Sequence, residues 1–150
     1  MSPDYDKLKK KHNLPSFEVL DQELDLSDFE DAKNHLRFIV KRVGERIEFF
    51  ADILGGVLQP DSNPGSMYEA EGFSDADRDK VPELYKKVMH LHREYLEQEL
   101  NYDENAYAAF IIQFFKEWAD VKKDLAKVLV VMKKSWQREN KLKLDLGYYG

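Results

Sequence analysis

The sequence predicts an all-α protein: an antiparallel bundle of three long helices with one or two short N-terminal helices. Three stretches carry apolar residues at spacings of three and four, the period of a helix buried on one face. The chain has no threonine, 7 glycines and 5 prolines, a composition that disfavours β-sandwiches and barrels. Its 150 residues suggest one domain, residues 1–150, long enough to bury a hydrophobic core.

The first long helix is predicted to begin at a capping box, Ser27-Asp28-Phe29-Glu30. It must end before Pro60, and the pair Gly55-Gly56 is expected to weaken its last turns. The apolar residues that define it are Phe29, Ala32, Leu36, Ile39, Val43, Ile47, Phe50, Leu54 and Val57.

The second long helix is predicted to begin after Ser74 and to continue to about Leu100. Three aspartates, Asp75, Asp77 and Asp79, suit the positive end of the helix dipole. Pro82 has two interpretations: it kinks the helix, or it is the first position of a helix that follows a short turn.

The third long helix, with Asp103 as its predicted cap, has the clearest pattern in the chain. One apolar stripe comprises Tyr107, Ile111, Phe114, Trp118, Val121, Leu125, Val128, Met132 and Trp136. A second stripe beside it comprises Ile112, Phe115, Ala119, Ala126 and Leu129. Because two adjacent stripes need partners on both sides, this helix is predicted to be the central element of the bundle.

Shorter elements are predicted at the two ends. Residues 1–26 are expected to hold one short helix from Asp4 to Lys11 and another from the cap Ser16 to about Glu23. Residues 141–150 are expected to be a tail that is either extended on the bundle or frayed. Three leucines alternate with polar residues in it: Leu142, Leu144 and Leu146.

Composition and charge exclude several classes of function. The net charge of −6 and the pI of about 5.3 oppose non-specific attraction to nucleic acid. The absence of cysteine excludes disulfides, thiolate metal sites and cysteine nucleophiles. No apolar run is long enough for a membrane span or a signal peptide, so a cytoplasmic location is expected. No catalytic residue, phosphate-binding glycine loop or cofactor is indicated.

The segment from Gln59 to Phe73 is predicted to be a loop, and it is long for a connection between two helices. One interpretation is a binding loop whose carboxylates meet a cation or a basic partner. The other is a strap held on the bundle by its aromatic residues. The candidate residues are Asp61, Met67, Tyr68, Glu69 and Glu71.

The candidate metal ligands are Glu45, Glu48 and Asp52 on the first long helix. In all-helical nucleotide pyrophosphohydrolases, Glu-x-x-Glu and a later Glu-x-x-Asp bind magnesium, which suits carboxylate ligands. Here the only later Glu-x-x-Asp, from Glu117 to Asp120, departs far from that spacing, and a solvated acidic face is the alternative. No histidine follows an acidic residue by three positions, so a ferritin-like di-iron site is excluded.

Charge is unevenly distributed along the chain. Residues 13–32 contain seven acidic side chains and no lysine or arginine, whereas residues 116–143 contain nine basic and four acidic side chains. Five of those bases share one face of the third helix: Lys116, Lys123, Lys127, Lys134 and Arg138. This face is a candidate docking surface for RNA or an acidic protein, and ordinary solvation is the alternative.

Val131 points to self-association, because it falls on the same helix face as Lys127 and Lys134, where solvent is expected. Residues 128–132 are apolar all the way round, more than two neighbouring helices can cover. Two interpretations remain for what covers these apolar residues: the chain's own tail, or a second copy of the chain across a two-fold axis. The sequence favours the homodimer, because a short tail ending in Gly147-Tyr148-Tyr149-Gly150 is poorly suited to fixed docking.

Two stretches, KLKKKHNLPSFEVLDQEL and LQPDSNPGSMYE, resemble uncharacterised archaeal all-helical proteins. The resemblance implies no activity, cofactor or site.

The predicted function is that of a non-enzymatic interaction or assembly module that binds a protein partner or a second copy of itself. One alternative is a nucleic-acid-associated subunit that uses the bases of the third helix, although no aromatic residue interleaves the lysines to stack bases. The other alternative is a metal-dependent hydrolase that uses the carboxylates of the first long helix.

Overall fold

The computed structural model describes residues 3–60 and 63–137, and within these ranges the chain forms helices and no strand. The prediction of an all-α protein is confirmed. The elements in chain order are α1 (Pro3–His12), α2 (Phe17–Leu24), a 3₁₀ turn (Phe29–Asp31), α3 (His35–Leu58), α4 (Pro64–Glu71), α5 (Asp75–Leu100) and α6 (Glu104–Ser135).

The chain divides into two compact units. The first unit comprises residues 1–49 and 90–119, and the second comprises residues 50–89 and 120–150. Helices α3, α5 and α6 each contribute one segment to each unit. The sequence-based expectation of a single folding domain remains a prediction.

Three helix starts predicted from capping residues are confirmed. The side-chain oxygen of Ser16 accepts a hydrogen bond from the backbone N–H of Val19 at 3.3 Å. Ser74 caps α5 and Asp103 caps α6 in the same way, each at 3.1 Å. Each cap satisfies a backbone donor that the helix itself leaves free, so the starting residue is fixed locally.

The predicted start of the first long helix at Ser27 is wrong. Asn34 is the cap of α3, and its Oδ1 accepts a hydrogen bond from the backbone N–H of Arg37 at 3.0 Å. Residues Phe29–Asp31 form a separate 3₁₀ turn instead. At the other end, α3 continues through Gly55 and Gly56 and ends at Leu58.

The late start of α3 is explained by an aromatic cluster around Phe29 in the first unit. The ring of Phe29 lies edge-on to Tyr5 of α1 and Phe17 of α2, with centroids 5.9 and 5.4 Å away. His35 stacks on the same ring at 4.4 Å. Tertiary packing of this side chain therefore separates the turn from the helix that follows it.

Two sets of ion pairs link the short N-terminal helices to longer ones in the first unit. Lys11 Nζ lies 3.0 Å and His12 Nε2 lies 3.4 Å from the carboxylate of Glu104, at the start of α6. The hydrogen bonds from Lys11 and then His12 lower the pKa of Glu104. Arg46 of α3 donates two hydrogen bonds to Glu23 of α2, at 3.1 and 2.8 Å.

Helix α5 runs continuously through Pro82, so the interpretation of this proline as the first residue of a helix is wrong. The loop predicted from Gln59 to Phe73 is also wrong in part, because it contains the two-turn helix α4. Asn63 caps α4 by accepting a hydrogen bond from the N–H of Ser66 at 2.8 Å, and Pro64 occupies the first turn.

The main apolar stripe of α6 is buried in both units, as predicted. The buried members are Tyr107, Ile111, Phe114, Trp118, Val121, Leu125 and Val128. The second stripe is covered only in part by the described residues: Phe115 is half-buried, Ile112 is 37% exposed and Leu129 is 40% exposed, and Ala119 and Ala126 are exposed. The expectation that α6 is the central element, with helical partners on both apolar sides, stays a prediction.

Gly44 of α3 allows a close helix contact in the first unit. A Cβ atom at this position would overlap the ring of Tyr95 on α5. Burial, together with the negative charges of Glu99 and Glu48, raises the pKa of Tyr95 from 10.0 to about 12. The neutral phenol ring of Tyr95 therefore packs directly against the backbone of α3 at Gly44, where no side chain intervenes.

Trp118→Ala is expected to destabilise the protein by about 3–5 kcal/mol, because it removes an aromatic side chain that is 1% exposed and stacked on Phe114 at 4.9 Å. Urea denaturation followed by circular dichroism measures the loss. Trp136→Ala, which removes a half-exposed ring, is expected to cost only about 1 kcal/mol. Equal losses in the two variants would contradict the burial assignment.

Gly44→Ala is expected to destabilise the protein by about 1–3 kcal/mol, because the new methyl group must displace the ring of Tyr95. Gly55→Ala in the same helix is the matched control. There the nearest atom to the added carbon is Tyr85 Oη at 4.0 Å, so a gain of about 0.5–1 kcal/mol is expected. Denaturation midpoints that move in the same direction for both variants would refute the close contact.

The raised pKa of Tyr95 makes stability depend on alkaline pH. The folded-state pKa of about 12 exceeds the ordinary value of 10.0, so the stabilisation is complete below pH 10.0 and is lost as the pH rises towards 12. Tyr95→Phe is expected to flatten this part of the curve of melting temperature against pH. Part of the slope remains, since burial also raises the pKa of Tyr5. An unchanged curve would contradict the prediction.

Candidate docking surfaces

The second unit contains an open groove of about 590 Å³ between the first half of α5 and the last part of α6. Its floor is apolar and consists of the buried side chains Phe73, Leu84 and Val128. The volume lies within the range of small-molecule pockets, and the groove is neither fully enclosed nor flat. A partner segment therefore has access to its lining residues.

Both walls of the groove carry residues at helical spacing. The α5 wall presents Ala76, Lys80, Glu83 and Lys87, at positions i, i+4, i+7 and i+11. The α6 wall presents Asp124, Lys127 and Val131, at positions i, i+3 and i+7. Each spacing places its residues along one side of its helix.

Each wall of the groove carries both signs of charge. On α6, Lys127 Nζ lies 3.9 Å from Asp124, and both side chains are well exposed. On α5, Glu83 pairs with Lys86 at 3.4 Å, at the exposed surface. Ion pairs this exposed contribute little to the free energy of unfolding. Exchanging one for an ion pair with a partner therefore costs the folded chain little.

A second surface lies on the outer side of α6 in the second unit. We call it the lysine-flanked face, and it consists of Lys123, Ala126, Leu129, Val130, Lys133 and Lys134. Val130 is 51% exposed and Leu129 is 40% exposed. Val130 and Val131 point in directions about 100° apart on a helix, so the apolar part of this face is distinct from the groove, whereas its lysines adjoin the groove residue Lys127.

The structure places only some of the α6 candidates in the groove. Lys127 and Val131 line it, whereas Lys123 and Lys134 are exposed beside Lys127 on the same side of the helix and are not among the lining residues. Sequence reasoning missed the opposite wall of the groove on α5. The helical spacing of Ala76, Lys80 and Glu83 is a signal that could have found it, but the spacing alone does not say which helix faces it.

The candidate residues of α4 do not converge on a cation. Tyr68 is 2% exposed, and its ring lies 5.1 Å from that of Trp136. The Glu69 carboxylate accepts a hydrogen bond from Trp136 Nε1 at 2.8 Å. Met67 and Glu71 lie at the surface, and Asp61 lies outside the described residues. These contacts agree with a strap held by its aromatic residues.

Two of the three candidate metal ligands on α3 pair with basic side chains. Glu45 pairs with Arg42 at 3.0 Å, and Glu48 pairs with His92 at 3.3 Å. Asp52 is exposed. In residues 3–60 and 63–137, no group of three or more histidine, aspartate or glutamate side chains is arranged to hold a metal ion.

No helix in the described part of the chain combines the length and the apolar character needed to cross a membrane. The chain matches no protein-family model, no curated protein and no solved structure. The resemblance to archaeal helical proteins stays a prediction, and any function must be argued from the surfaces above.

Proposed function

We propose that this protein is a non-enzymatic helical assembly module, and that it forms a homodimer through the groove between α5 and α6. The observation that carries the proposal is this groove, which no described residue fills and whose rim carries the exposed Ala76 and the part-exposed Val131 above the buried floor. Apolar surface contributes about 25 cal/mol for each Å² removed from water, so a second copy that fills the groove gains stability. The proposed location is the cytoplasm, since a chain without cysteine needs no oxidising compartment.

The proposal includes an antiparallel arrangement of the three long helices. Two contacts in the first unit support it for α3 and α5: Gly44 with Tyr95, and Glu48 with His92. The residue numbers rise along α3 while they fall along α5, as opposite chain directions require. Residues 101–103, the short connection between α5 and α6, favour the same reversal for the next pair.

The charges of the groove favour a second copy as its occupant. A two-fold interface brings the same surface together twice, so it must be complementary to itself. Each wall carries acidic and basic residues. The α5 wall carries Asp77, Asp79 and Glu83 with Lys80 and Lys87, and the α6 wall carries Asp124 with Lys127. In a two-fold pair, the acid of one copy can therefore face the base of the other.

The homodimer is tested by light scattering on the intact protein across the micromolar range. The expected mass is twice the chain mass of 17.7 kDa, and Val131→Glu is expected to give the monomer because it places a charge in the apolar groove. Val130→Glu is the matched control: it adds the same charge one residue away, outside the groove, and should stay dimeric. Circular dichroism melts verify that both variants fold.

Charge reversal gives a second measurement that does not depend on the groove's apolar floor. Lys127→Glu is expected to weaken the dimer, and the double variant with Glu83→Lys should recover part of the affinity. A monomeric intact protein would overturn the homodimer. Stability that falls when residues 141–150 are removed from such a monomer would identify the tail as the cover of the groove.

A further inference from the structure

The lysine-flanked face has a composition that differs from the groove. Its exposed apolar residues are Ala126, Leu129 and Val130. Along the helix axis they lie between Lys123 at the N-terminal end of the face and Lys133 and Lys134 at its C-terminal end. None of these three lysines forms an ion pair with a residue in the described ranges. Of the two acidic residues in this part of α6, Asp124 lines the groove and Asp120 is exposed one turn before Lys123.

Charge decides which occupant the face can accept. Two copies of the face placed together would oppose lysine to lysine, which disfavours a two-fold contact of this surface with itself. The chain beyond residue 137 carries three basic and two acidic side chains, so it offers no net negative charge. The bases are Arg138, Lys141 and Lys143, and the acids are Glu139 and Asp145.

We propose that the lysine-flanked face docks an acidic amphipathic helix of another protein. The face spans Lys123 to Lys134, which is three helical turns or about 16 Å. A partner of matching length would lay an apolar stripe on Leu129 and Val130 and place carboxylates over the lysines at both ends. Small Ala126 in the middle of the face allows the two helices to approach closely. This proposal differs from the homodimer in its apolar contacts, because Leu129 and Val130 do not line the groove.

RNA fits the face less well than an acidic helix does. Single-stranded nucleic acid binds strongly where aromatic side chains stack its bases, and the face contains none. The exposed leucine and valine, in contrast, require apolar groups that a phosphate backbone does not supply.

The test uses a labelled synthetic helical peptide with leucines at i, i+3, i+4 and i+7 and glutamates on both flanks, titrated with the full chain and followed by fluorescence anisotropy. Saturable binding that weakens as salt is raised is expected. Val130→Glu and Lys134→Glu should each weaken binding by roughly tenfold or more. Lys41→Glu, an exposed lysine on α3, is the matched control and should bind as the wild type does.

Further arms distinguish peptide docking on this face from binding elsewhere on the protein. Val131→Glu should keep peptide binding while it breaks the homodimer, so the two proposals can fail independently. A peptide with lysines in place of the glutamates, and one with serines in place of the leucines, should not bind. Absence of binding to the acidic peptide would overturn the proposal. Preferential binding of poly-uridine RNA or of phosphatidylserine vesicles, lost in Lys134→Glu, would overturn it in favour of those ligands.

Discussion

A single buried stripe along α6 is the constraint on which the rest of the structure depends. It supplies Tyr107, Phe114 and Trp118 to the core of the first unit, and Leu125 and Val128 to the core of the second. Because one helix serves both cores with one side, its other sides are left for solvent or partners. The groove and the lysine-flanked face are the two surfaces that this arrangement leaves open in the second unit.

Local signals predicted most of the helices, and tertiary packing explains where they failed. Ser16, Ser74 and Asp103 were predictable as caps because each acts on backbone groups two or three residues away. Ser27 has the same local pattern, but the packing of Phe29 against α1 and α2 moves the start of α3 to Asn34. That contact joins distant parts of the sequence, so no local pattern contains it.

Of the groove, only the α6 wall was predictable from the sequence, and the α5 wall was not. Val131 stood out in the sequence because residues 128–132 are apolar all the way round the helix, although a single exposed apolar side chain is common. Its groove became visible only with Leu84 and Phe73 in place, since the register between two helices depends on how their side chains interlock. The described residues cover the second stripe of α6 only in part, and the apolar spacing of Ile112 and Leu129 does not specify whether a covering neighbour belongs to the same chain.

The two tryptophans lie in different units, Trp118 in the first and Trp136 in the second. Their surroundings differ as well: Trp118 is buried against Phe114, whereas Trp136 is half exposed beside Tyr68 and Glu69. Each indole is therefore a native optical reporter of its own unit. With excitation selective for tryptophan, Trp136→Phe leaves Trp118 as the reporter of the first unit. Its unfolding curve, compared with that of the whole chain by circular dichroism, reveals whether the chain melts as one cooperative body.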